Sequence, residues 1–227
     1  MADAEQKLTL LAGASGFVGG YVLEALLEAP ETGRIFAVTR RPLGREHSRL
    51  ANRIVQFDKL ESQLKGITCK VALCCLGTTL REAGSREAFR RVDFDYVLAF
   101  AAVAKAAQAQ RFVVVSSAGA DPDSRNFYLR TKGEMEQAVG TIGFAAVDIL
   151  QPGLLLGWRR EMRPLEMAAR LAMPLLNPLL FGTREAYRGI PARTVAAAMV
   201  GATRSSRRGV QRYPYAGIKA LAGRRGA

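Results

Sequence analysis

Tyr128 and Lys132 stand one helical turn apart, and a serine pair, Ser116-Ser117, precedes them in the chain. Residues i and i+4 of a helix share a face, so phenol and ammonium point the same way. A neighbouring ammonium lowers a phenol's pKa, and the phenol can then exchange a proton with a carbonyl or alcohol oxygen. A serine hydroxyl at a strand end can orient that oxygen and share its developing charge. Such a set fits proton transfer matched to hydride transfer by a nicotinamide, with the lysine also holding the nicotinamide ribose. The chain supplies elements to position it. Arg111–Val115 (RFVVV) reads as a buried strand, Ser116–Asp121 as the loop leaving it, and Tyr128 opens a helix.

A nicotinamide requires a seat for the rest of its dinucleotide, and Lys7–Gly20 (KLTLLAGASGFVGG) provides one. Leu8, Leu10 and Leu11 read as a buried strand, and Val22, Leu23, Leu26 and Leu27 as the inner face of a helix. Between them runs Gly13-Ala14-Ser15-Gly16-Phe17-Val18-Gly19. Gly13 permits the tight turn, Gly16 lets the backbone approach a pyrophosphate, and Gly19 lets helix and strand pack closely. The free N–H groups at the helix start face the anion.

A second strand, Arg34–Thr39 (RIFAVT), ends at Arg40-Arg41, about 20 residues beyond the turn. NAD-preferring sites carry an acid there to bond the ribose 2′-hydroxyl. Two guanidiniums fit a 2′-phosphate instead, so NADP(H) is expected over NAD(H). Arg53–Phe57 (RIVQF) reads as a third strand. Asp58 at its end is placed either to accept from the adenine amino group or to cap Lys59–Leu64. Lys70–Cys75 reads as a fourth strand running into Leu76-Gly77-Thr78-Thr79, small and hydroxylic residues suited to a ribose at the carboxyl edge of a parallel sheet. Leu80–Arg91, polar and charged, reads as beginning in a loop bordering the site, and the alanine-rich stretch Asp93–Gln110 as a crossover helix. Phe144–Leu150 reads as a sixth strand, followed by Pro152-Gly153, where a missing donor and a missing side chain allow close approach.

A chain of 227 residues, 49% of them hydrophobic, suits one α/β domain. No apolar run is long enough to span a membrane, and the first residues, MADAEQK, lack signal-peptide character, so a cytoplasmic protein is expected. Cys69, Cys74 and Cys75 read as reduced thiols in apolar surroundings rather than a disulfide or metal site. The lone histidine, His47, reads as a solvated loop residue. The net charge of +13 is dispersed in isolated arginine pairs without interleaved aromatics, which favours surface charge and anionic ligands over nucleic acid.

The C-terminal third carries Trp158, Arg159, Arg160 and Arg163, which either meet an anionic substrate group or face solvent. Met162–Phe181 is too apolar for a lone surface segment and is expected to roof a substrate pocket or meet a second subunit in a homodimer. Ile190–Arg204 reads as a helix, Val210–Tyr215 as an edge strand and Ala220–Ala227 as a frayed tail.

Taken together, the chain resembles the atypical short-chain dehydrogenase/reductases, and is similar to the Tat-interacting-protein-like oxidoreductases and their bacterial relatives. The resemblance is carried by Gly13–Gly19, Cys75–Thr79, Arg91-Val92-Asp93, Asp95–Leu98, Ser116-Ser117, Gly119–Asp121, Tyr128-Leu129, Lys132-Gly133-Glu134 and Pro152-Gly153. It implies a doubly wound α/β domain of NAD(P)-binding Rossmann type over residues 1–227, with 154–227 forming a small substrate-side cap. It also implies a Ser-Tyr-Lys constellation in which Ser117 takes the serine role, Ser116 being the alternative, and a Pro152-Gly153 turn lying against the nicotinamide. Hydride transfer to or from a small carbonyl or alcohol follows. The rival readings are an NADPH-sensing regulatory protein and a sugar-nucleotide epimerase or dehydratase.

Overall fold

The buried apolar stretches form the strands of one parallel sheet, and the amphipathic stretches between them form its covering helices. The structure, a computed structural model, describes residues 8–157 and 182–223. Trp158, Arg159, Arg160, Arg163 and the segment Met162–Phe181 lie outside the described residues. The strands are β1 (Leu8–Ala12), β2 (Arg34–Thr39), β3 (Leu50–Ile54), β4 (Val71–Cys74), β5 (Arg111–Val115), β6 (Ala146–Leu150), a short β7 (Leu155–Leu156) paired with β8 (Ile190–Pro191), and β9 (Gly209–Tyr213). The main sheet runs β3-β2-β1-β4-β5-β6-β9, and every neighbouring pair is parallel. The order reverses between β1 and β4, and the crevice at the carboxyl ends of such a pair is where doubly wound sheets bind ligands.

The helices are α1 (Phe17–Glu28), α2 (Leu60–Gln63), α3 (Leu80–Ala83), α4 (Arg86–Arg90), α5 (Tyr96–Ala106), α6 (Phe127–Thr141), α7 (Ala192–Thr203) and α8 (Tyr215–Ala222). Side chains alternate across a strand, so each strand feeds both layers. Leu10, Ala72 and Phe112 join Phe100 of α5 and Met135 of α6 on one face, while Leu11, Leu73 and Val113 join Leu26 of α1, Met199 of α7 and Ile218 of α8 on the other. Part of the C-terminal third is thus built into the body: β9 closes one sheet edge, and α7 packs beside α1.

Edge strand β9 is held by a buried polar cluster. Arg111 pairs with Asp148 and donates to the carbonyls of Ser205 and Arg207 at 2.5 and 2.7 Å, while the Tyr213 hydroxyl donates to Asp148 Oδ1 at 2.9 Å. Burial pushes the Asp148 carboxyl up, against the Arg111 charge and the Tyr213 hydrogen bond that pull it down.

Several elements differ from their sequence reading. The third strand is Leu50–Ile54, earlier than Arg53–Phe57, because its register pairs Ile35 with Leu50 and Thr39 with Ile54. Polar Asn52 fits there since its side chain donates to Ala37 O and Thr39 Oγ1 and accepts from Leu43 N. Beyond it, Val55 and Phe57 turn inward to the core. Leu80–Ala83 and Arg86–Arg90 are helical where a loop start was expected, because Thr79 and Glu82 form a reciprocal capping box and Ser85 caps the second helix. The crossover helix begins with a π turn, Arg91–Asp95. Tyr215–Ala222 forms α8, so Ala220–Ala222, expected to begin a frayed tail, are helical and Leu221 is buried.

Two glycines set the closest backbone approaches around the site. A Cβ on Gly19 would lie 2.0 Å from Gly13 O, and one on Gly133 would lie 2.2 Å from Asp121 C and Pro122 N. Gly133 is buried, and both of its neighbours are main chain that cannot swing aside. Gly133→Ala is therefore expected to cost about 1–3 kcal/mol, the range for overpacking a closed site. The check is the urea midpoint, and an unchanged midpoint would mean that loop and helix are not in fixed contact.

Candidate active site

Where β1 and β4 diverge, a cleft of about 460 Å³ opens at their carboxyl ends. Its floor is the glycine turn. Gly13 takes the left-handed backbone conformation, φ +81°, and its carbonyl accepts from Gly16 N at 2.9 Å. A Cβ on Gly13 would meet the Cys75 carbonyl carbon at 2.6 Å, so only glycine lets this turn pass under the end of β4. Gly16, Phe17 and Val18 line the cleft, whereas Gly13, Ala14 and Gly19 build the turn behind it and Ser15 is exposed. Cys75, Leu76, Gly77 and Thr78 form the adjoining wall, as the sequence led us to expect of the last three.

Tyr128 and Lys132 line the same cleft from α6, whose start is fixed by Asn126: its side-chain oxygen accepts from Tyr128 N at 2.9 Å and Leu129 N at 3.3 Å. The Tyr128 ring rests on Phe89 of α4, with centroids 5.4 Å apart. The loop after β5 is tied on both sides, by Asp121 N to Leu129 O at 3.1 Å and Ala118 N to Pro152 O at 2.9 Å. Serine, tyrosine, lysine and the Pro-Gly turn are thereby held as one unit.

Of the two serines, Ser116 lines the cleft. It is buried, and among the described residues its Oγ has no hydrogen-bond partner. The Ser117 hydroxyl donates to Ala118 O at 3.3 Å, and this residue is not among those facing the cleft. Gly153 faces it, while Pro152 is buried behind and contributes its carbonyl to Ala118. Arg40 and Arg41 are exposed at the end of β2 and stand outside the cleft wall. Asp58 is also outside it, exposed, and accepts from the Tyr96 hydroxyl at 3.2 Å. It does not cap α2, whose N-cap is Lys59.

Reading the sequence for chemistry missed Asp93. It is fully buried in the middle of the π turn, its Oδ1 2.6 Å from Lys132 Nζ and its Oδ2 accepting from Thr78 N at 2.8 Å. Burial alone would push the Lys132 ammonium down. The Asp93 carboxylate, helped by Tyr128 and Cys74, outweighs it and leaves the lysine above its ordinary value. A signal was present: an acid opening an otherwise apolar helical stretch has to meet a cation if that face is buried. Also missed was Glu136, one turn beyond Lys132, whose carboxylate accepts from Gln151 Nε2 at 2.9 and 3.0 Å and from Arg212 Nε at 2.9 Å. Leu154–Gly157 line the cleft beyond the Pro-Gly turn, with nothing but their position after it to mark them.

A glycine turn of this geometry beneath a cleft with Tyr128 and Lys132 can be compared with known proteins. The family model described as NAD(P)H-binding matches residues 13–160. The chain belongs to this NAD(P)H-binding family, among the atypical short-chain dehydrogenase/reductases. Protein HTATIP2 of Rattus norvegicus is 38% identical over 170 residues, covering 73% of this chain and 70% of its own. Protein FMP52, mitochondrial, of Saccharomyces cerevisiae is 37% identical over 157 residues, 68% of each chain. MoeE5, solved with UDP-glucose and NAD, has a TM-score of 0.67 over 90% of this chain and 74% of its own, at 17% identity. A short-chain dehydrogenase/reductase superfamily protein from Agrobacterium tumefaciens with bound NAD has a TM-score of 0.65 over 91% and 77%, at 15% identity. At those identities the likeness shows the fold, which is that of NAD-binding Rossmann proteins. Among the described residues no helix is long and apolar enough to cross a membrane, and no cluster of side chains could hold a metal ion.

Family membership directs attention to the thiols near the cofactor side. Cys75 lines the cleft, yet burial pushes its thiol well up, with Cys74 adding to the effect. Burial also raises Cys69 to about 11 and Cys74 to about 12. The thiolate is the reactive form, so at about pH 8 Cys69 and Cys74 should label at least roughly a hundredfold more slowly in the native protein than in the unfolded chain, and Cys75 should also label more slowly. A disulfide reagent with and without denaturant measures this, and rapid native labelling of Cys75 would contradict it.

Proposed function

We propose that this chain is an NADP(H)-dependent oxidoreductase acting on a small carbonyl or alcohol. The observation that carries the proposal is that Tyr128, Lys132 and Ser116 line one cleft with the glycine-turn residues Gly16, Phe17 and Val18. The residues fit a dinucleotide: Cβ atoms on Gly13 or Gly19 would collide with the turn's neighbours, and the buried Ser116 Oγ has no protein partner. The nicotinamide cofactor, when bound, supplies or takes up the hydride.

The chain's own part is binding and proton management. Gly16 and the N-terminus of α1 present backbone N–H groups to the pyrophosphate. Gly77 and Thr78 leave room for the ribose, and Lys132 anchors it. Tyr128 holds the proton that the substrate oxygen gains or loses, and the Ser116 hydroxyl orients that oxygen. Ser116 is preferred here over Ser117 because the former faces the cleft with a free hydroxyl. Arg40 and Arg41, exposed at the end of β2, supply guanidiniums for the 2′-phosphate, and Asp58 stands near the adenine end. Leu154–Gly157, which line the cleft beyond the Pro-Gly turn, cover its substrate side. The free thiols suit a reducing compartment such as the cytoplasm.

Tyr128→Phe removes the transferable proton and little volume, so NADPH binding should persist while turnover falls about 10²–10⁴-fold, the usual contribution of a positioned acid or base. Turnover of the best substrate from a carbonyl and alcohol panel, at matched NADPH saturation, is the measurement. Equal rates would rule out the tyrosine mechanism, and a silent wild type that still binds NADPH tightly would favour the sensing role.

Cofactor choice has its own test. Arg40→Asp with Arg41→Ala removes two charge-assisted contacts to phosphate, and NADPH affinity should drop about tenfold or more relative to NADH. Calorimetry with both cofactors decides, and equal wild-type affinities would refute the preference.

A further inference from the structure

The buried pair Lys132–Asp93 raises a question that the proposed chemistry leaves open. An ammonium that is only 5% exposed cannot be solvated by water, and its counter-ion is a carboxylate with no exposure at all. That carboxylate comes from a different element, the π turn before α5, and its second oxygen is engaged by Thr78 N of the wall after β4. Gly77 lies against the pair: a Cβ there would sit 3.4 Å from Asp93 Oδ1 and 3.8 Å from Lys132 Nζ. Three segments of the cleft wall therefore meet on one carboxylate.

We infer that Asp93 is a positioning residue of this site: its carboxylate keeps Lys132 charged in the cleft wall and fixes the ammonium to the Gly77-Thr78 segment. The inference deepens the oxidoreductase reading and rests on it for the role of Lys132, but the state of the lysine can be measured without turnover. The groups acting on the ammonium are Asp93, Tyr128 of its own helix and Cys74 of β4. Burial is the largest influence and opposes the charge, so removal of Asp93 leaves burial dominant. The sign follows. In the wild type the ammonium persists as pH rises beyond the ordinary lysine range. In Asp93→Asn it is present only at low pH and is lost as pH rises through the lowered value.

The test follows the Lys132 side-chain carbon by NMR in lysine-labelled protein, assigned by its loss in Lys132→Arg. Wild-type Lys132 should show no titration up to about pH 10, whereas in Asp93→Asn it should titrate at least about one unit below the free-lysine value of about 10.4. Alongside it, NADPH affinity of the wild type should stay level between about pH 7 and 10, whereas that of Asp93→Asn should fall about tenfold between one unit below and one unit above the pH at which its Lys132 titrates, and recover on return to lower pH. A merely structural role would lower affinity equally at every pH. An unchanged Lys132 titration in Asp93→Asn would overturn the inference. If Lys132 titrates early but NADPH affinity stays level, the ribose-anchor part of the functional reading fails and the Asp93 inference stands. Should Asp93→Asn not fold, the double variant Asp93→Asn/Lys132→Met, which removes both charges, is expected to restore folding. Equal failure of the double variant would overturn the inference.

Discussion

The structure turns on a backbone contact between two strand ends. The turn after β1 must pass within van der Waals contact of the chain leaving β4, because these neighbouring strands send their connections to opposite faces of the sheet. A side chain at Gly13 would strike the Cys75 carbonyl, and one at Gly19 would strike Gly13 itself. The absence of side chains lets α1 start directly beneath the cleft, which its N-cap Gly16 and first residues, Phe17 and Val18, line. The placement of α1 under the cleft is thus a consequence of one steric requirement.

Helix α6 is the second organising element. Tyr128, Lys132 and Glu136 are spaced four residues apart along one face. The first addresses the cleft, the second pairs with Asp93, and the third ties Gln151 beside the Pro-Gly turn. Gly133, on the neighbouring face, lets the loop carrying the serines lie against the helix. A helix can hold such a row rigidly because its neighbours are buried by packing rather than by the polar groups themselves. Met135 and Val139, both fully buried, provide that packing. Buried ionic groups cost free energy unless paired, and Lys132 and Glu136 each have a partner on another element.

Much of this was legible in the chain. The bounds of Arg34–Thr39 and Arg111–Val115 match the sequence reading residue for residue, because β-branched and apolar runs bounded by charged residues and turns leave few alternatives. The start of the third strand, Leu50–Asn52, was not legible, since an edge strand buries little and polar Asn52 resembles loop. Its position is set by register with β2 and by the bonds Asn52 makes across it. The short helices after Thr79 were marked only by capping residues, a signal weaker than hydrophobic periodicity.

For the site, the sequence by itself determined the residues with a local signature: the glycine turn, the Tyr128–Lys132 spacing, the serines at a strand end and the turn after β6. Each depends on a few consecutive residues, so spacing alone conveys its geometry. Only the tertiary structure decided which serine faces the cleft, that Asp93 meets Lys132 across 39 positions of chain, and that Arg40, Arg41 and Asp58 stand outside the cleft wall. The physical reason is that burial and ion pairing are properties of packed elements. A carboxylate and an ammonium far apart in the chain become partners only when two helices and a strand end close around them and exclude water.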